Sequence, residues 1–508
     1  LRVLEQSQPD KALIERAKTI IALPEPTAGS TPAFLHNYYY RRSRAQQRLG
    51  QIDDALADMR KATLEFPSPD PRIATGRLTD LAVLELNAGY PDRALVQLLK
   101  AKQIYERARI SAPLFSVNRL LVITHTNAGN FDAAKAVLLE SDALMVVSRT
   151  SSRASELMPF WESHLESARG VYLRSQGQWV EAERALRTTL RHLNTGFEKV
   201  KTNAKRVDDL ADGDAAGAGA GGPNPLHYVS QIISRTRDMA EVMLQQRKLL
   251  DAEHYARAAL TMSLEWFGRD STEVGHGLTI LSRVISEQGR FPEAVLLAEA
   301  AYKAQSESGM TDNNRIMAQS RRFYATALVA DSKYAKADEM FRSMASIVAG
   351  NPKIAERFTA NDLDWVMAMQ KIGNHQQAQR MASDMRVRSE RQNGKSHPRT
   401  ALISAFEAAA FQGLGRHKES LALFREATPV LVEQIRNDAE NNTVTLKQQQ
   451  RTTYLFESYL ALLARVAAED SGQTTFAAAE AFRIADLAKS SGVQRALTAS
   501  AARANIKN

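Results

Sequence analysis

The 508-residue sequence contains no cysteine. A disulfide, a thiolate metal site and a cysteine nucleophile are therefore excluded. Aromatic residues make up only 7% of the chain, and alanine is abundant. That balance favours close helix packing over large sheet cores. No run approaches the roughly 18 apolar residues a membrane helix needs. Residues 1 to 20 alternate charge and apolarity, so no signal peptide is visible. The chain begins at Leu1 rather than Met, so a trimmed or processed N-terminus is expected. The cytoplasm is favoured, with the periplasm left open. Catalytic patterns are missing too. The ten histidines are scattered, with no H-E-x-x-H for a metal, and there is no G-x-S-x-G. Adjacent carboxylates such as Asp53-Asp54 and Asp208-Asp209 read as helix-start or solvated residues. No enzyme activity, cofactor or metal is expected of this chain.

A repeated phrase is what the sequence does contain, and a chain this long needs several cores or an extended array. In "EQGRFPEAVLLAEAAY", residues 287 to 302, Gly289 is followed two residues on by apolar Phe291 and five on by small Ala294. The triple returns at Gly50, Gly89, Gly129, Gly177, Gly373 and Gly415, and, without glycine, at Arg247 and Ser332. The nine anchors are spaced 39, 40, 48, 70, 42, 43, 41 and 42 residues apart. Glycine ends a helix in the left-handed backbone region. The residue after next fills the corner between two helices, and the small residue lets the second helix approach the first. His375 and His417 hold that corner position, where packing is their expected role. Acidic residues such as Asp92, Asp132 and Glu181 follow the turn, where they complement a helix N-terminus. Seven residues before each anchor stand Ser43, Ala82, Val122, Gly170, Ala240, Ser282, Ala325, Val366 and Ala408. All are small or β-branched. Twelve residues after the anchors, seven of the nine residues are small.

These offsets resemble the tetratricopeptide repeat (TPR), with a period nearer 42 than that family's roughly 34 residues. In this the chain is similar to the longer repeats of kinesin light chains. The resemblance covers about residues 31 to 430. It implies an all-α fold, a right-handed superhelical solenoid of antiparallel helix pairs. The expected organisation is an N-terminal cap helix and loop over 1–30, and a first block of about four repeats over 31–204. A Gly/Ala-rich flexible loop follows over 205–225, then a second block of about five repeats over 226–430. A C-terminal helical hairpin closes the chain over 431–508. Within that tail, "AEAFRIADLAKSSGVQRAL" resembles the segment joining TPR arrays to CHAT (caspase-like) domains. If so, the chain is the sensor half of a protein whose catalytic half lies elsewhere; the other reading is a hairpin capping the last repeat. Alanine-rich, cysteine-free composition points to a bacterial source.

The resemblance also implies which residues face inward, namely those 13, 10, 6, 3 and 2 before each anchor. Here they supply a candidate peptide-binding groove of Asn37, Arg44, Arg48, Asn87, Arg119, Asn127, Arg174, Arg237, Arg283 and Arg322. Guanidinium groups clamp carboxylates or phosphates, and asparagine amides can hold a peptide backbone. A protein or peptide partner, acidic or extended, is therefore expected, in a protein–protein interaction scaffold. The formal net charge of +9 also permits nucleic acid. The inward positions carry few aromatics for base stacking, which makes that the second reading. Neither the oligomeric state nor a membrane span is indicated.

Overall fold

The computed structural model describes residues 11–27, 29–201, 225–269, 271–307, 315–350, 355, 358, 362–440 and 444–485. The expected flexible loop at 205–225 therefore lies outside the described residues, apart from Pro225. So does the part of the CHAT-linker-like stretch after residue 485. Among the described residues the regular structure is helical and no strand occurs. Helix α1 (Lys11–Ile21) packs on α2 (Pro32–Arg48). Among the described residues nine antiparallel pairs follow, opening with α2 and α3 (Ile52–Arg60, carried on by a wider turn to Glu65). They continue as α4 (Pro71–Asn87) with α5 (Pro91–Arg107), α6 (Ala112–Asn127) with α7 (Phe131–Ser148), and α8 (Ala154–Ser175) with α9 (Trp179–Val200). Next come α10 (Pro225–Gln245) with α11 (Leu249–Phe267), α12 (Thr272–Glu287) with α13 (Phe291–Glu307), and α14 (Arg315–Ala330) with α15 (Tyr334–Val348). The last are α16 (Leu363–Lys371) with α17 (His375–Asn393), and α18 (Pro398–Gly413) with α19 (His417–Glu440). Helix α20 (Leu446–Glu469) and a helical stretch over 474–485 complete the description.

The turn chemistry accounts for this regularity. All nine anchors have positive φ, from 59° to 89°, including the non-glycines Arg247 (61°) and Ser332 (59°). At each one the next residue's N–H reaches the carbonyl five residues back, as Asn130 does to His125 (2.8 Å). The anchor's own N–H reaches three back, as Gly129 does to Thr126 (3.1 Å). These two bonds together are the Schellman motif, which satisfies carbonyls a helix end leaves open. Each second helix starts two residues after its anchor, at Ile52, Pro91, Phe131, Trp179, Leu249, Phe291, Tyr334, His375 or His417.

The small residues are where the pairs touch. Ala55, Ala94, Ala134, Ala182, Ala252, Ala337 and Ala378, five after their anchors, are all 0% exposed. So are Ser43, Ala82, Val122, Ala240, Ala325, Val366 and Ala408, seven before theirs. Where one of the two positions holds serine, its hydroxyl donates to the other's carbonyl. Ser43 bonds Ala55 (2.6 Å), Ser282 bonds Ala294 (2.7 Å), and Ser420 bonds Ala408 (2.7 Å). His375 packs at its corner as expected: a methyl group at Gly413 would meet the imidazole at 2.3 Å.

The chain packs into two compact units, each described by itself. Unit 1 comprises Leu1–Ile280 with Lys303–Met317, and unit 2 comprises Leu281–Tyr302 with Ala318–Asn508. In unit 1, Leu78, Leu98, Leu121, Val137 and Tyr105 build one core across α4 to α7. Phe115 stacks on Trp161 (5.8 Å) next to it. In unit 2 one core runs from α13 to α20, through Phe341, Trp365, Phe406, Phe424 and Tyr459.

Candidate functional site

In unit 1 the first helices of successive pairs lie side by side, with α6 packed against α8. Their shared face opens as a cleft of about 370 Å³. Helix α6 contributes Ile123, Thr126 and Asn127, and α8 contributes Val171, Arg174 and Ser175. These are the residues six, three and two before their anchors. The three offsets fall on one face because residues three and four apart on a helix are neighbours. Helix α10 adds Arg235, Asp238 and Glu241, and Trp179 closes the corner. The lining is thus part apolar and part polar. The Thr126 hydroxyl is buried there without a partner.

Charges of both signs meet in this wall. Asp238 takes an ion pair from Arg174 (2.6 Å) and another from Arg235 (3.0 Å). Arg235 also donates to the hydroxyls of Ser167 and Ser234 (2.9 Å each). Burial would raise the Asp238 carboxyl, but Arg235, Arg174 and Arg237 hold it below its usual range. Arg119, one turn before Ile123, donates its Nε–H to His164 Nδ1 (3.1 Å). A guanidinium only donates, so Nδ1 accepts and the ring proton sits on Nε2. That Nε2 is buried with no partner. Burial pushes the His164 imidazole well below its usual value, helped by Arg119, His227 and Arg235. Burial likewise brings His227 to about 4, with Arg119 contributing, and His276 to about 3, with Arg237 contributing. Even Arg119 is brought to about 9, by burial first and then by Arg235.

The expected groove residues therefore divide. Asn127 and Arg174 line the cleft, while Arg119 and Arg237 belong to the charged wall beside it. Asn37, Arg44, Arg48 and Asn87 are exposed on α2 and α4. Arg44 reaches Gln47 (3.3 Å). Arg283 lies 6.0 Å from the Phe323 ring, and Arg322 pairs with Asp362 (2.7 Å). The inward offsets did not include Arg235, Asp238 or His227, which stand at other positions on α10. The i, i+3 Arg–Asp pair on α10 is the signal that could have drawn attention to them.

In unit 2 the corresponding face carries the chain's own helix α20. Its first N–H, at Leu446, donates to Glu287 (2.9 Å), and Gln450 donates to the Ala330 carbonyl (3.2 Å). Lys447 (2.5 Å) and Arg451 (2.6 Å) both pair with Asp364. Tyr454 donates to Gln370 and takes Lys371 over its ring (4.6 Å). Glu287, Ala330, Gln370 and Lys371 all stand two or three residues before an anchor. With 24 residues α20 is about 36 Å long. That length crosses roughly four helices at ordinary packing distances, and its contacts run along α12, α14, α16 and α18.

Among the described residues no cluster of histidines and carboxylates is placed to hold a metal, and no helix is long and apolar enough to cross a membrane. Fold and cleft together define a helical-repeat protein with TPR-like helix pairs. No family model and no curated protein matches the sequence. Among solved structures, the chain is similar to the apo form of RapI, at 11% identity over 83% of this chain and 98% of that one, TM-score 0.47. It is also similar to a Rap protein complexed with Competence and Sporulation Factor, at 10% identity over 74% and 99%, TM-score 0.38. A third likeness is to a Pyrococcus horikoshii signal transduction ATPase of the STAND class with a tetratricopeptide repeat sensor. It shows 12% identity over 86% of this chain and 53% of that one, TM-score 0.34.

Proposed function

We propose that the chain is a protein-interaction scaffold. The inner wall of unit 1 takes an extended peptide segment bearing acidic side chains. The observation that carries this reading is the cleft between α6, α8 and α10. It offers an apolar floor of Ile123, Val171 and Trp179, the Asn127 amide for a peptide backbone, and the guanidinium groups of Arg174 and Arg235 for a carboxylate, beside Asp238 and Glu241. Peptide affinity in such a wall comes from several modest contacts rather than one deep pocket. On this reading the chain is non-catalytic and serves as the regulatory part of a CHAT-type protein. That last step rests on the resemblance of "AEAFRIADLAKSSGVQRAL" alone.

The test is fluorescence titration of the full chain with acidic and basic octapeptides of matched length, reading Trp179 in the cleft. Acidic peptides are expected to bind with a sequence preference. Asn127→Ala and Arg174→Gln should each weaken binding by about 1 to 2 kcal/mol. Equal binding of both peptide sets, or indifference to both substitutions, sinks the reading.

A further inference from the structure

Helix α20 meets the inner wall of unit 2 through two unlike halves. From Leu455 onward it is core: Leu455, Phe456, Tyr459, Leu462 and Leu463 are each 3% exposed or less. Over 446–454 the buried residues are Leu446, Gln449 and Thr453, and two of these are polar. Gln449 Oε1 and Thr453 Oγ1 are buried with no hydrogen-bond partner. Keeping such atoms dry and unbonded costs stability. What holds this half is ionic. Lys447 and Arg451, one turn apart, close on the buried carboxylate of Asp364 from α16, while the Lys447 side chain itself stays 42% exposed. Apolar burial, the main favourable force in docking one element on another, is therefore slight here. A wall long enough for a whole helix is filled at this end by a segment that fits it poorly.

We propose that the inner wall of unit 2 is an interaction surface for a basic amphipathic helix of a partner protein, and that residues 446–454 hold its place until that helix arrives. The charge of the wall sets the partner's chemistry. If 446–454 simply swung out, Asp364 would stay buried without a cation, which is costly, and Glu287 would lose the Leu446 N–H. The wall therefore exchanges one cationic helix for another instead of standing empty. The register follows from α20 itself. The incoming helix carries Lys or Arg at two positions four apart, facing Asp364 as Lys447 and Arg451 do. An aromatic residue three positions after the second cation meets Gln370 and Lys371, as Tyr454 does. The advantage of the partner lies at the positions of Gln449 and Thr453, where apolar side chains leave no oxygen unbonded. This dock lies within unit 2 and takes the opposite charge, so it stands or falls apart from the acidic-peptide cleft of unit 1.

The experiment uses the full chain and a labelled peptide copying residues 444–458 with Gln449→Leu and Thr453→Val. The peptide is long enough to lie on the wall as a helix, which an octapeptide is not. Fluorescence anisotropy reads its binding, and peptide-resolved hydrogen exchange reads α20. The peptide is expected to bind saturably. Exchange over 446–454 should rise as it binds, while 459–466 stays protected. A peptide that also carries Lys447→Gln and Arg451→Gln should bind about tenfold more weakly or worse. Gln449→Leu with Thr453→Val in the chain itself should lock the resident helix. That variant is expected to unfold at a higher temperature, to exchange more slowly over 446–454, and to capture the peptide about tenfold more weakly. Lys447→Gln with Arg451→Gln in the chain should strengthen capture instead. This last variant strips Asp364 of both cations and risks unfolding, so the parent and the locked chain carry the decision. No binding to the parent overturns the proposal. So do equal binding of the two peptides, bound peptide that leaves exchange over 446–454 unchanged, and a locked chain that captures as well as the parent. A dimer that grows with concentration and is dissolved by the peptide would give the wall to α20 of a second copy, and the partner helix would fall.

Discussion

At the scale of single residues, the anchors explain why the pairs recur so regularly, and two of them sit under strain. Ser332 and Arg247 occupy the left-handed region with φ near 60°, where a β-carbon costs about 1 kcal/mol or more. Ser332→Gly is expected to stabilise unit 2 by up to about 1 kcal/mol, less what glycine loses in chain entropy. Gly129→Ala is the mirror test. A methyl group there would meet nothing within 4 Å, so its expected cost of about 1 kcal/mol is backbone strain alone. Urea midpoints of the two variants should move in opposite directions, and a common direction would show that side-chain contacts outweigh the turn. These anchors were legible in the sequence because everything that fixes them is local. The flanking offsets identified Arg247 and Ser332 although neither is glycine. The inward offsets likewise reached Asn127 and Arg174. They passed over Asp238 and Arg235, because which arginines share that carboxylate depends on the contact of α8 with α10, which joins Arg174 to Asp238 across 64 residues of chain.

At the scale of elements, α20 behaves differently from the first helix of another pair. Its C-terminal half is core, with Tyr459, Leu462 and Leu463 at 0% exposure. Its N-terminal half is held by polar bonds to Glu287, Asp364 and Gln370. The capping box of Thr445 and Gln448 fixes where it starts. Asp364→Asn removes the carboxylate that pairs with both Lys447 and Arg451, which should loosen this end by about 2 to 4 kcal/mol. Thr445→Ala should cost about 1 kcal/mol. Hydrogen exchange over 446–454 should rise in both variants while 459–466 stays protected. Equal loss of protection along the whole helix would mean that α20 moves as one block. None of this docking was readable beforehand. It joins Leu446 to Glu287 and Arg451 to Asp364 across 159 and 87 residues of chain, by polar pairs that follow no repeat. The same inward positions that the offsets assign to a partner in unit 1 are taken in unit 2 by the chain itself. The peptide reading consequently rests on unit 1.

At the scale of the whole molecule, the net charge of +9 is less informative than where ionisation is constrained, and here the two units differ. The depressed histidines, His125, His164, His227 and His276, all lie in unit 1. Each stays neutral in the fold yet takes a proton once unfolded, below its ordinary value near 6.5. The unfolded state then binds more protons, so stability falls as pH falls. For His227 this window runs from about 6.5 down to about 4, and for His276 down to about 3. Within it each such histidine removes up to about 1.4 kcal/mol per pH unit. Unit 2 is governed instead by Asp364. Burial would raise its carboxyl, but Arg451 and Lys447 hold it well below the usual range. A depressed carboxyl contributes stability that is present above its unfolded value, near 4, and is lost only as pH falls below that. Acidification should therefore weaken unit 1 first, between about pH 6.5 and 4, with the dock of α20 giving way below about 4. Peptide-resolved hydrogen exchange at pH 7, 5.5 and 4, corrected for the intrinsic rate, would follow both. Loss of protection in α6, α8 and α10 ahead of α16 and α20 is the expected order. Simultaneous loss, or α20 first, would show that the buried histidines of unit 1 already find proton acceptors or solvent in the folded chain.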